Sequence, residues 1–478
     1  MVSSTLPATT QKAWARAIAQ PATEFALTPL TVLSGELPPD LRGSLYRNGP
    51  GRLERDGLRV QHWFDGDGAI LAVHFADQQA TATYRYVQSA GYRDEEAAGA
   101  YLYGGYGTPA PGRFWERWRK QLKNAANTSV LALGDRLLAL WEGGQPHQLD
   151  LHTLETLGTE NFAVLTPSCT YSAHPKIDAA TGDIYNFGVV PGANATLNLY
   201  RSDRTGRILK QNAIPLNGVP LLHDFALAGQ YLVFIVPPVR LNTLPAVLGL
   251  SSFSDCLMWQ PKRGTQIVTV DRQSLEVVSY GETEAWFQWH LGKSYQDFDG
   301  NLVIEFVRYP DLTTNQHLGE IASGQIRSVV NGQLWQIRLN PQTGTVLEQT
   351  PLVERGCEFP VFPNWPSDLD LAPTYLSIRR SETTAHTELF NAIGCFDPQN
   401  QVLTIADAGE NCYPAEPVYV PQPSDPAQGW ILTVVYDGDR DVSEVWIYAS
   451  DRLIEEPICR LALPSVIPHS FHGTWRQG

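Results

Sequence analysis

Positive charge is the first thing this sequence has little of. Its 478 residues carry 35 Lys and Arg against 50 Asp and Glu, a formal net charge of −15. Binding nucleic acid requires a basic face that replaces phosphate counterions, so nucleic acid is excluded as a partner. Cysteine is also sparse: Cys169, Cys256, Cys357, Cys395, Cys412 and Cys459 lie scattered with no CxxC pair. That excludes a zinc framework and predicts buried small apolar thiols rather than disulfides. No run approaches the roughly 18 apolar residues that a spanning helix needs. The first twenty residues, MVSSTLPATTQKAWARAIAQ, lack the apolar core of a signal peptide. The expectation is a cytoplasmic protein whose membrane contact, if any, is peripheral.

What is present is turn-formers and β-formers. Thirty-nine Gly and 34 Pro are spread along the chain. Between them stand short β-rich runs at 230–236, 264–270, 300–307 and 430–436, and dipeptides such as Thr181-Gly182, Asp299-Gly300, Thr343-Gly344 and Asp437-Gly438 join paired runs. Many short strands with few helical patterns read as a sandwich, barrel or propeller. Of these, a seven-bladed propeller accommodates the length without linkers, at four strands and about 65 residues per blade. No clean repeat is visible in the sequence. The chain reads as one all-β domain over residues 1–478, with a variable N-terminal segment at 1–34.

Two stretches depart from that pattern. Residues 113–123 place Phe114, Trp115, Trp118 and Leu122 at helical spacing, with Arg113, Arg117, Arg119, Lys120 and Lys123 opposite. Residues 241–253 are apolar (Leu244, Leu248 and Leu250 among them) but broken by Pro245 and Gly249, which predicts a loop or short helix. Both stretches read either as core-covering connections or as an apolar, partly basic patch that touches a bilayer surface and admits a lipid-like molecule.

Four of the eleven histidines stand out by their neighbours: His174 in Ser-Ala-His-Pro-Lys, His223 in Leu-His-Asp-Phe-Ala, His290 in Gln-Trp-His-Leu, and His472 in Phe-His-Gly-Thr-Trp. They are 49, 67 and 182 residues apart. Those distances fit no helical HExxH or finger motif. They suit ligands delivered by different blades toward a propeller axis. Neutral imidazoles favour a divalent ion such as Fe(2+) and leave positions open, while carboxylates behind them would accept the other ring N–H. His469 lies three before His472, but Pro468 and Gly473 argue against a helix presenting both.

Further motifs carry a resemblance. Gly35-Glu-Leu-Pro-Pro-Asp-Leu-Arg-Gly43, Tyr46-Arg-Asn-Gly-Pro50, His62-Trp-Phe-Asp-Gly-Asp-Gly68 and Phe471-His-Gly-Thr-Trp475 occur in the order seen in the carotenoid cleavage oxygenases. The sequence most resembles the bacterial apocarotenoid 15,15'-oxygenase branch of that family, over nearly its whole length. The resemblance implies a seven-bladed β-propeller whose loops and short helices cap one face over an axial iron(II) site. It assigns the iron to His174, His223, His290 and His472. It assigns Glu142, Glu358 and Glu416 to hydrogen bonds with His223, His290 and His472, leaving His174 without a carboxylate. It makes Thr128 the residue whose methyl group crowds one open metal position. The activity it implies is dioxygen-dependent cleavage of a C=C bond in an apolar polyene, such as 8'-apo-β-carotenal at its 15,15' bond, giving retinal. No protein partner is implied.

Within the same fold, cleavage of a phenolic stilbene is the alternative, with Lys123, Tyr101, Tyr103 and Tyr106 as candidate polar groups. A third reading is a non-catalytic carotenoid-binding propeller, against which the four histidines argue. One motif departs from the family. After His290 the usual second His, Asn, aromatic residue and Glu are replaced by Leu291, Lys293, Tyr295 and Gln296, of which only the aromatic survives. That leaves the positioning of His290 an open expectation.

Overall fold

The computed structural model describes residues 12–117, 122–363, 369–382 and 386–478. Seven antiparallel sheets are arranged as blades in chain order. Blade 1 spans 43–86, blade 2 129–159, blade 3 176–215, blade 4 226–283, blade 5 291–353, blade 6 357–407 and blade 7 412–462. The β-rich runs read from sequence are second or third strands of their blades. Tyr231–Val236 is buried along its whole length, because each blade is covered on both faces by its neighbours. Such a strand is apolar throughout rather than alternating.

The core is correspondingly divided. One cluster of buried side chains lies in each interface between adjacent blades, as with Phe187, Leu197 and Phe234 between blades 3 and 4, and Val233, Ile304 and Ile337 between blades 4 and 5. Seven such clusters run round the ring. Each fully buried large aliphatic or aromatic side chain contributes about 1.5–3 kcal/mol, so no single interface dominates.

The ring is closed twice. The C-terminal strand Gly473–Gln477 pairs with Gly43–Arg52 in blade 1, and the N-terminal strand Thr31–Gly35 pairs with Cys459–Ala462 in blade 7. Residues 31–34, read as part of a variable lead-in, thus belong to an integral edge strand that ends at Gly35. Hairpin turns take the glycines where a left-handed backbone is required, as at Gly300 (φ 81°).

Strand direction decides where the site lies. The innermost strand of each blade, which is the first strand in blades 2 to 7 and the C-terminal strand Gly473–Gln477 in blade 1, runs away from one face of the ring, so the connection between second and third strands, counted outward, returns to that face. The long insertions at 237–264 and 309–332 are such connections, and 87–128 leads into the first strand of blade 2 from the same side. They form the cap. Helix α1 (Ala90–Ala98) starts on Ser89, whose hydroxyl accepts from Tyr92 N, and stops at Gly99 (φ 66°). Helix α2 (Phe114–Arg117) realises the start of the helical pattern at 113–123. Residues 118–121, including Trp118, Arg119 and Lys120, lie outside the described residues. Helix α3 (Thr243–Val247) occupies the apolar 241–253 stretch with no buried residue, and helix α4 (Thr313–Ala322) roofs the centre.

Lys123 corrects an expectation. It is not a surface cation: its Nζ is buried between Asp67 and Glu95, 2.8 Å from each, beside Arg55. Two carboxylates in a dry interior require compensating positive charge, and Lys123 supplies it. All six cysteines are free thiols. Among the described residues no helix is long and apolar enough to cross a membrane.

Candidate metal centre

Each of the four histidines sits immediately ahead of an innermost strand. His174 precedes Lys176–Ile177, His223 precedes Ala226–Ala228, His290 precedes Leu291–Gln296 and His472 precedes Gly473–Gln477. These strands begin at the axis, so residues far apart in sequence converge. The Nε2 atoms of His174 and His223 are 3.0 Å apart, those of His223 and His290 3.2 Å, and those of His290 and His472 3.1 Å. All four donor atoms lie within 4.8 Å of one another, and all four residues are buried. Two imidazole nitrogens at right angles on a metal about 2.1 Å away stand about 3.0 Å apart, whereas tetrahedral donors would stand about 3.4 Å apart. The spacing therefore suits a metal with right-angled ligands and further positions open. Lone pairs crowded this closely repel each other, and a cation relieves the repulsion.

Burial, then the neighbouring imidazoles, hold His174 and His290 well below the ordinary imidazole range, which keeps them neutral. At His223 burial also disfavours charge, but the Glu142 carboxylate outweighs it and raises the pKa. Glu142 Oε1 lies against His223 Nδ1 and 3.9 Å from His174 Nε2. His290 Nδ1 is 2.5 Å from Glu358 Oε2, and His472 Nδ1 is 2.8 Å from Glu416 Oε1. With each Nδ1–H donating to a carboxylate, each Nε2 is left as a lone pair aimed at the centre. Burial lifts the Glu358 carboxyl to about 7, although Phe359 N and the Tyr309 hydroxyl donate to it. Burial works against Glu416 as well, but His472 and Arg47 hold its pKa low.

The sequence motifs now have physical roles. Arg47 donates to the carbonyls of Glu416 (2.7 Å) and Phe471 (3.0 Å) and to Ser470 Oγ (3.0 Å). Asn48 exchanges backbone hydrogen bonds with the 471–472 segment, and its side chain donates to Ala126 O and Ser129 O, both at 2.9 Å. The Tyr46–Pro50 motif thus holds the His472 loop and the Thr128 loop on one strand. Asn127 donates to the carbonyls of Phe64 and Gly66 in the His62–Gly68 motif. Thr128 gives its hydroxyl proton to Asn127 Oδ1 (3.2 Å).

Sequence reasoning missed several residues. Asp224, directly after His223, is buried; its Oδ1 accepts from Lys176 Nζ and Phe225 N, and its Oδ2 from Leu291 N, all at 2.8 Å. One carboxylate therefore ties together the loops carrying His174, His223 and His290. Its adjacency to a histidine was the only available signal. Tyr309 donates to Glu358 Oε1 at 2.8 Å across 49 positions, a contact no local pattern announces. Phe359 takes a left-handed backbone (φ 55°) at a bulge and stacks its ring on His290.

The departure after His290 is also accounted for. Leu291 N is held by Asp224, and Lys293 is buried, its Nζ donating to Ala372 O (2.6 Å) and pairing with Glu305 (3.2 Å), which Thr374 also satisfies. His469 does not join the cluster; its Nε2 lies 2.8 Å from Trp14 O. His62 likewise caps a short turn and contacts Asn315 O.

Two cavities meet at the centre. One is lined by Trp63, Phe64, Trp289, Phe359 and Phe471 with His290 and His472, and runs under helix α4. The other is lined by Trp141, Phe187, Val189, Leu221 and Leu222 with Glu142. Phe64, Thr128 and His223 belong to both. The second cavity shares Leu122, Pro191 and Phe253 with a surface depression beside helix α3.

An axial four-histidine centre on a seven-bladed propeller, with carboxylates behind the rings, defines a class of metal-dependent protein, and comparison with known proteins specifies it. The model of the retinal pigment epithelial membrane protein family, RPE65, matches residues 18–477. The apocarotenoid-15,15'-oxygenase of Synechocystis sp. is 33% identical, over 93% of this chain and 92% of that protein. The isoeugenol monooxygenase of Pseudomonas putida is 27% identical, over 93% and 94%. The structure of cobalt-substituted Synechocystis apocarotenoid oxygenase superposes with a TM-score of 0.89 at 31% identity, covering 98% of both chains. The chain belongs to the RPE65 family of carotenoid cleavage oxygenases.

Proposed function

We propose that this protein is an iron(II)-dependent oxygenase that uses dioxygen to cut one C=C bond of an apocarotenoid, such as 8'-apo-β-carotenal at the 15,15' position, releasing two aldehydes of which one is retinal. The carrying observation is the position of the four imidazoles, where two apolar cavities meet and a long polyene can pass the centre. His174, His223, His290 and His472 would hold the iron, and Glu142, Glu358 and Glu416 would fix three of the rings. Iron(II) would supply the binding and activation of dioxygen. The residues orient the substrate and exclude water. Thr128, its hydroxyl turned to Asn127, would present its methyl group and block one metal position. The aromatic walls give a polyene few polar handles, so cavity length would select the bond.

A phenolic substrate is less well served. Lys123 is committed to Asp67 and Glu95, and Tyr106, which lines the second cavity, donates its hydroxyl proton to Asn315 Oδ1 (2.8 Å).

The entrance lies at the surface depression beside helix α3, where Leu244 and Val247 are each 69% exposed and Leu248 and Leu250 are also exposed. With Arg117, which lines the same depression, this patch would rest reversibly on a bilayer, where such substrates concentrate; the side chains of Phe114 and Trp115, expected in the same patch, lie outside the described residues. Two experiments test the reading. Protein loaded with iron under anaerobic conditions is mixed with oxygen and 8'-apo-β-carotenal, a carotene or a hydroxystilbene; retinal from the first is expected, and products from the stilbene alone refute it. Replacing Leu244 and Leu248 with Ser should lower liposome binding and turnover of liposome-embedded substrate, leaving detergent-solubilised substrate far less affected; equal losses in both formats refute the membrane contact.

A further inference from the structure

The cavity under helix α4 carries polar groups that the reaction does not use, His317 among them. Helix α4 presents Thr314, His317, Leu318 and Ile321 to it, one face at three- and four-residue spacing. His317 Nδ1 lies 3.1 Å from Ser328 Oγ. Ser328 Oγ in turn donates to Glu320 Oε2 at 2.9 Å. Glu320 also accepts from the backbone N–H groups of Arg327 (2.7 Å) and Ser328 (2.8 Å). An ionised carboxylate can only accept, so the single Ser328 hydroxyl proton goes to Glu320. Toward His317, Ser328 Oγ then offers only a lone pair, and His317 must be protonated at Nδ1. Burial first, with the nearby Arg379 charge next, brings the His317 pKa down to about 4, so the ring is neutral. Its Nε2 is therefore a bare acceptor, and no donor among the described residues reaches it.

We infer that His317 Nε2 accepts a hydrogen bond from a hydroxyl group at the inner end of the substrate, so that the cavity favours a hydroxylated polyene over the aldehyde, ether or hydrocarbon of equal length. An aldehyde oxygen has no proton to give and would leave that nitrogen without a donor. The inference rests on the oxygenase reading for its substrate, but it concerns binding and can be measured without turnover.

Quenching of the cavity tryptophans Trp63 and Trp289 reports affinity in metal-free protein. Three ligands of equal chain length are compared: a terminal alcohol, its methyl ether and the aldehyde. Wild-type protein should bind the alcohol roughly three- to tenfold tighter than the ether. His317→Phe, which keeps an aromatic ring, should bring that ratio close to one. Ser328→Ala, which keeps the imidazole but releases its tautomer, should shrink it partway and serves alone if His317→Phe fails to fold. In iron-loaded protein the same ratios should appear in kcat/KM. Equal wild-type affinities, or a ratio that survives in both variants, overturns the inference. So does a His317-dependent preference shown only by a hydroxystilbene, since the acceptor then serves a phenol. If no polyene is cleaved while the alcohol preference and its loss persist, the oxygenase reading falls and the hydroxyl site stands.

Discussion

Asp224→Asn is the sharpest test of how this propeller holds its metal centre. The carboxylate accepts three hydrogen bonds at 2.8 Å, from Lys176 Nζ, Phe225 N and Leu291 N. An amide of the same shape has one acceptor and one donor. Whichever way it turns, its NH2 group faces either Leu291 N–H or the Lys176 and Phe225 donors, and a buried donor loses its partner. Hydrogen bonds to charged groups contribute about 1.5–3 kcal/mol each. The Lys176 contact is worth less, because its side chain is 26% exposed and solvent screens it. The expected cost is about 2–4 kcal/mol. It falls on three loops that each carry one imidazole, so the Nε2 positions loosen together, and metal affinity should drop by roughly 10–100-fold, as when a group supporting a ligand is removed. Cobalt titration followed by visible absorbance, together with melting of the metal-free protein, reads both effects. Lys176→Met removes only the exposed partner and should affect affinity much less. A lower melting temperature with unchanged cobalt affinity would refute the reasoning: Asp224 would then support the fold without positioning the histidines.

Further expectations follow from the same geometry. His223→Ala, His290→Ala and His472→Ala should each lose bound iron while keeping a folded circular-dichroism spectrum; a variant with wild-type iron content removes that residue from the ligand set. Glu358→Gln should lower turnover by about 10–100-fold, and Tyr309→Phe, one bond further out, by less; an unchanged rate for Glu358→Gln would make that carboxylate structural. Burial opposes the charge of Glu320, but the donors from 327–328 outweigh it and lower its pKa from 4.5 to about 2. A depressed carboxylate stabilises the fold above its unfolded pKa and loses that contribution as pH falls. The melting-temperature gap between wild type and Glu320→Gln should therefore be full above pH 4.5, narrow below it and vanish near pH 2.

The fold was legible because blades are local. Each is a run of strands joined by short turns, and the buried strands are apolar along their whole length, as at 231–236. The seven interblade cores were not legible, since the pairing of one blade face with the next leaves no periodic trace in sequence. The histidines could be picked out by neighbours but not gathered by spacing. Only strand direction, which starts four innermost strands at the axis with a histidine just ahead of each, brings together residues up to 182 positions apart. The same holds for charge. Lys123 has the sequence context of a surface helix cation, and tertiary packing turns it inward because Asp67 and Glu95, from two other segments, need a countercharge. Local sequence therefore determined the element types, the turns and which residues are able to ligate. Long-range packing decided which of those residues meet, because contacts such as Asp224 with Leu291, Tyr309 with Glu358 and His317 with Ser328 exist only after the ring has closed and the cap has settled on it.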